Sequence, residues 1–107
     1  MRCCPPSPPA RFEDPDEELA ALAKALGHPM RVRILRILLD REECVCGDLV
    51  NQLPIAQSTV SQHLKVLRVA GLVHGEIDGP RTCYRADPDR IEHARILLDG
   101  LTVAARR

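Results

Sequence analysis

Apolar residues recur at helical spacing through most of this chain. Leu19, Leu22, Ala23 and Leu26 place one helix from about Asp16 to Leu26, and Gly27 stops it. Pro29 suits the first turn of the next helix, M-R-V-R-I-L-R-I-L-L-D. There Val32, Ile34, Leu35, Ile37, Leu38 and Leu39 cover most of the circumference. This predicts a central, buried helix from which Arg31, Arg33 and Arg36 emerge to water or phosphate. Leu49, Val50 and Leu53 mark a short helix starting near Cys46 and ended by Pro54. A turn of a few residues leads to the stretch 56–71, A-Q-S-T-V-S-Q-H-L-K-V-L-R-V-A-G, with Val60, Leu64 and Leu67 on one stripe. The period then shortens. Residues 72–77 and 82–86 read as two strands, joined by the turn chemistry of D-G-P-R. A last helix runs from near Pro88 to about Ala104, with Ile91, Ala94, Leu98, Leu101 and Ala105 in one stripe widened by Leu97.

Two helices joined by a short turn, the second followed by a hairpin, predict a mainly α fold with a small β-hairpin: a winged helix-turn-helix. The low aromatic content, 2%, requires an aliphatic core. The expected organisation is a proline-rich arm over 1–15, one domain over 16–104 and a short tail over 105–107. The last helix carries more apolar surface than so small a domain has core to cover. With the first helix it is expected to form a homodimer surface.

The stretch 56–71 holds the candidate chemistry. Stepping about 100° per residue from Val60 puts Ser58, Gln62 and Lys65 opposite the apolar stripe, with Thr59 and Ser61 on the flanks. This outer face offers hydroxyls, an amide and a cation, and no acid. Such groups hydrogen-bond base edges and phosphates of double-stranded DNA. An ordinary amphipathic helix has a similar face; the preceding turn and the following wing favour a reading helix. Arg81 at the hairpin tip and Arg85 on its return strand are the corresponding candidates on the wing, where the alternative is a solvated tip.

Charge adds a constraint. The net charge is zero, but residues 1–56 sum to −2 and residues 57–107 to +2. A DNA contact would therefore use a local basic surface rather than a bulk field. The acidic cluster Glu13, Asp14, Asp16, Glu17 and Glu18 is explained by the dipole of the helix it precedes and opens. No run of about 18 apolar residues marks a membrane span. The start, M-R-C-C-P-P-S-P-P, lacks the apolar core of a signal peptide, so a cytoplasmic location is expected.

Five cysteines in a reducing compartment point to metal ligation or redox chemistry before disulfides. Cys44 and Cys46 lie near a helix N-terminus, whose dipole favours thiolate; Asp48 partly opposes it. The competing reading is a pair of small buried residues. Cys83, on a wing strand, is expected to be structural or incidental. A thiol enzyme is disfavoured by the lack of C-x-x-C and of a βαβ pattern.

Three segments together, A-L-G-H-P-M-R-V-R-I-L-R-I-L at 25–38, C-V-C-G-D-L at 44–49 and Q-S-T-V-S-Q-H-L-K-V-L-R-V-A-G-L-V at 57–73, resemble the arsenical-repressor (ArsR/SmtB) family of bacterial metal-sensing repressors. The resemblance covers roughly residues 16–104. It implies a winged-helix homodimer that binds an inverted-repeat operator and leaves it when a metal or metalloid binds. It also implies that C-V-C, Cys44 and Cys46, is a thiolate box for trivalent arsenic or antimony; cadmium or lead is the alternative, and thiol redox sensing a further one. Arsenite needs a third thiolate, for which Cys3 and Cys4 on the arm are the source the family suggests. Zinc-sensing members carry ligands on the last helix. Here only His93 with nearby acids such as Asp89 is available, and no zinc site is expected there. One departure stands at the start of the reading helix. Ala56 replaces the usual hydroxyl cap, which leaves Ser58 as an alternative cap and would remove it from base contact.

Overall fold

The computed structural model describes residues 12–41, 53–76 and 83–105. They form α1 (Pro15–Leu26), α2 (Pro29–Asp40), α3 (Gln57–Val69), β1 (Val73–Glu76), β2 (Cys83–Ala86) and α4 (Pro88–Ala105). The predicted short helix from Cys46 to Leu53 lies almost wholly outside the described residues; its last residue, Leu53, is buried in the core.

Local chemistry explains the boundaries. Asp14 caps α1 by accepting the Asp16 N–H at 2.8 Å, with Pro15 at the first helical position and three acids in the first turn. His28 caps α2 in the same way: its Nδ1 accepts the Met30 N–H at 3.1 Å. α3 ends in a Schellman motif. Gly71, at φ 82°, lets Leu72 N–H reach Leu67 O and Gly71 N–H reach Arg68 O, both at 2.9 Å. β1 and β2 pair antiparallel, Val73 with Ala86 and His74 with Arg85, which makes the wing.

The core is aliphatic apart from Tyr84. Leu22 and Ala25 of α1, Ile34, Leu35 and Leu38 of α2, and Val60, Leu64 and Leu67 of α3 meet Leu72, Val73 and Ala94. Three expectations change here. On α1 the buried small residue is Ala25, and Ala23 is exposed. The second helix, α2, is not buried all round: Val32 and Ile37 are half-buried and Leu39 is 41% exposed. The core lies on one side of α2, so a dense apolar pattern did not mean full burial. The apolar stripe of α4 also divides. Ile91, Ala94 and Leu97 pack on the core, whereas Leu98 and Leu101 face solvent, because the core ends before the helix does.

Candidate nucleic-acid interface

α3 stands on its apolar stripe, and this sets its outer face. With Val60, Leu64 and Leu67 buried, Ser58, Gln62 and Lys65 are exposed, and Thr59 and Ser61 are half-buried on the flanks. The helix begins at Gln57 with Ala56 as its cap residue and no side-chain cap bond. Ser58 is therefore inside the helix, not its cap. The first turn closes through Ala56 O, which accepts from Thr59 N at 3.0 Å and Val60 N at 3.1 Å.

Two clusters position this helix, and the first is centred on His63. Arg31 Nε donates to His63 Nδ1 at 3.2 Å, and the rings of His63 and His28 lie 4.5 Å apart, tilted by 51°. Arg31 Nη1 also donates to Lys24 O, at 2.9 Å, at the end of α1. One guanidinium thus joins α1, α2 and α3, and Arg31 is drawn inward rather than projecting for phosphate as its sequence position suggested. An arginine can only donate, so His63 Nδ1 must be the bare nitrogen. Burial, then the neighbouring His28 and Arg31, hold the His63 pKa below its usual 6.5. Stability from neutral His63 is complete above pH 6.5, the value in the unfolded chain, and is lost as pH falls towards the lower folded value. The expected result is a thermal midpoint that drops between pH 7 and pH 5.5. His63→Gln, which retains an acceptor for Arg31, flattens that slope in circular-dichroism melts.

The second cluster is centred on Arg90, in the first turn of α4. Its Nε donates to Ala70 O at 3.1 Å, at the C-cap of α3, and its Nη1 pairs with Glu18 Oε2 of α1 at 2.9 Å. Glu18 Oε1 accepts from His93 Nε2 at 2.8 Å. The His93 bond, followed by Arg90, lowers the Glu18 pKa. Asp87 plays a similar part beside the wing. Its Oδ1 caps α4 at Asp89 N and Arg90 N, and its Oδ2 accepts from His74 Nε2 at 2.7 Å. Burial opposes ionisation of Asp87, but the His74 bond and the backbone N–H groups outweigh it and lower its pKa. Neither cluster has a local sequence signal. Their members are far apart in the chain, 75 residues for Glu18 and His93, and only packing brings them together.

Of the other predicted site residues, Arg85 is half-buried opposite His74, with its Nε enclosed and unpaired. Arg81 and the cysteines Cys3, Cys4, Cys44 and Cys46 lie outside the described residues. Cys83 is buried on β2 and not in a disulfide. Among the described residues no three His, Cys, Asp or Glu side chains converge as a metal site, and no helix is long and apolar enough to cross a membrane.

Helices packed beneath an exposed polar helix, followed at once by an antiparallel wing, define a winged helix-turn-helix. Comparison with known proteins narrows the class. Residues 28–74 match the family model described as bacterial regulatory protein, arsR family. The chain is 38% identical over 103 residues to the HTH-type transcriptional repressor SmtB of Mycobacterium tuberculosis, covering 94% of this chain and 73% of that one. It is 42% identical over 69 residues to the HTH-type transcriptional regulator CmtR of Mycobacterium bovis, covering 64% and 58%. Its structure is similar to an ArsR-like transcriptional regulator from Rhodococcus sp. RHA1, with a TM-score of 0.72, 26% identity and 86% of each chain covered. The crystal structure of M. tuberculosis Rv0081 matches with a TM-score of 0.56 and 39% identity over 87% of this chain and 93% of that one. The chain belongs to the ArsR/SmtB family: it is a transcriptional repressor that binds operator DNA, and not an enzyme.

Proposed function

We propose that this protein is a metalloid-responsive repressor, whose dimer holds an inverted-repeat operator through α3 and the wing and releases it when trivalent arsenic or antimony binds cysteine thiolates. The observation that carries the DNA half is the outer face of α3, where Ser58, Gln62 and Lys65 are exposed with no acid among them. Thr59 and Ser61 flank that face. The helix start, without a side-chain cap, leaves the positive end of its dipole open to a phosphate. Arg81 and Arg85 are the proposed wing contacts. Gln62 suits a base edge, and Lys65 a phosphate or guanine.

The dimer half rests on α4. Beyond its core-facing turns it exposes Ile96, Leu98, Leu101 and Val103, each more than half accessible at 52–57%. Such a concentration of large apolar side chains on one exposed helix suits a second copy, with α1 alongside. Two reading helices would then meet half-sites about 34 Å apart.

The inducer half rests on donor chemistry. Cys44 and Cys46 supply two soft thiolates at i, i+2, and Cys3 or Cys4 a third, which suits three-coordinate arsenic and antimony; cadmium and lead share the preference for sulfur. Linkage makes the effect reciprocal, so operator DNA must weaken inducer binding by the factor by which inducer weakens operator binding. A gel shift on an inverted-repeat operator, titrated separately with arsenite and cadmium, tests this. Arsenite is expected to release the wild type and to leave Cys44→Ser bound, with Cys3→Ser impaired. Retained release in Cys44→Ser removes C-V-C from the site. Release by cadmium alone transfers the reading to the divalent metals.

A further inference from the structure

One face of the wing carries Asp87, His74 and Arg85 in a row. The register pairs His74 with Arg85, so the two side chains share a face of the hairpin. Alternation continued past β2 puts Asp87 on the same face, one diagonal step from His74. Val73, Tyr84 and Ala86 take the other face and enter the core. Asp87 Oδ2 accepts from His74 Nε2 at 2.7 Å. Asp87 is itself anchored, since its N–H donates to Leu72 O at 2.9 Å and its Oδ1 caps α4. The other end of the row is incomplete. His74 Nδ1 and Arg85 Nε are both enclosed, and neither has a hydrogen-bond partner. Enclosed polar atoms are normally paired, and leaving one unpaired is costly.

The two atoms are complementary. A carboxylate only accepts, so His74 Nε2 carries the hydrogen directed at Asp87, and a neutral ring then has a bare, accepting Nδ1. Arg85 Nε only donates. The same pairing, arginine Nε onto histidine Nδ1, is made elsewhere in this protein by Arg31 and His63 at 3.2 Å. We propose that Asp87, His74 and Arg85 form a hydrogen-bonded chain that aims Arg85 at a phosphate of operator DNA. Asp87 sets the His74 tautomer, His74 Nδ1 accepts the Arg85 Nε–H, and the two Nη groups remain for the phosphate. Holding Nε removes side-chain freedom before DNA arrives, so less entropy is lost on binding. His74 and Asp87 are thus positioning residues that act through Arg85. Their role rests on the proposed wing contact of Arg85.

The first test needs no DNA. In the full-length protein above neutral pH, the ring-nitrogen NMR shifts of His74 are expected to show hydrogen on Nε2 and a bare Nδ1. Asp87→Ser still offers a cap to α4 but does not reach His74, and it should mix the two tautomers. Hydrogen on Nδ1 in the wild type overturns the chain. The second test is fluorescence anisotropy on an inverted-repeat operator over a range of salt. Arg85→Gln is expected to weaken binding about fivefold or more and to lower the salt slope by about 1. His74→Phe keeps a ring that suits a strand but has no nitrogen. It should reproduce both effects, and the double variant should lie within about twofold of Arg85→Gln alone. His74→Gln retains a donor and an acceptor and should bind within about twofold of the wild type. A merely structural role predicts the opposite: losses that add in the double variant, a wild-type salt slope in His74→Phe and no rescue by glutamine. Any of these overturns the proposal. His74→Phe at wild-type affinity and slope overturns it while the Arg85 contact stands. Arg85→Gln at wild-type affinity and slope removes the wing contact itself.

Discussion

Gly75→Ala is expected to destroy the pairing of the wing. Gly75 sits at φ 134°, where a side chain is strained, and a Cβ there would lie 2.0 Å from Cys83 O and 2.7 Å from Tyr84 Cα. Both obstacles are backbone of the partner strand, so neither can rotate away. β1 must separate from β2, and the buried partners Tyr84 and Cys83 must move with it. Backbone strain alone costs about 1–3 kcal/mol, and the clash adds to it. A total of about 3 kcal/mol or more is a large part of the stability of a small domain. Urea denaturation should show a lower midpoint, and amide exchange should show β1 and β2 unprotected while α2 stays protected. Because the wing carries Arg85, operator affinity should fall as well. A midpoint within experimental error of wild type would show that the strands accommodate a side chain at Gly75.

Leu67→Ala should rank with it. Leu67 is fully buried in the last turn of α3, among residues of the core cluster. Leucine-to-alanine changes at such sites remove transfer free energy and leave a cavity, at a cost of about 2–5 kcal/mol. Each kcal/mol lowers the melting midpoint of a domain this size by roughly 4–8 °C. The control is two residues away on the same helix. Val69 is 75% exposed, and Val69→Ala should change stability by no more than about 0.5 kcal/mol. Melts at matched protein concentration compare the two, since association also shifts the midpoint. Equal effects would mean that Val69 is covered in solution.

Much of this protein is legible from periodicity and punctuation, since both act over a few residues. Pro29 and Gly71 mark helix ends because proline presets φ at a first turn and glycine enters the left-handed region cheaply, whereas Gly27 ends α1 at φ −80°, outside that region. The polar face of α3 follows from where Val60, Leu64 and Leu67 fall, and the structure places Ser58, Gln62 and Lys65 outward as the spacing requires. The resemblance at three separated segments agrees with the family to which the chain belongs.

What periodicity does not carry is the direction from which a helix is covered. The six apolar residues of α2 are compatible with burial on every side, yet only Ile34, Leu35 and Leu38 are buried, because its neighbours lie on one side. Arg31 has the local context of Arg33 and Arg36, but α1 and His63 offer it acceptors that the other two lack. The stripe of α4 is continuous in sequence and divides in space where the core ends. The ties between Arg90, Glu18 and Ala70 join residues that are distant in the chain. The sequence alone thus determined, to within about two residues, where each described element begins and ends, and which face of α3 is polar, because hydrogen-bond capping and side-chain periodicity are local. Only the tertiary structure decided which charges hold α3 in place and which apolar faces remain open. Those depend on distances between segments, and packing alone sets them.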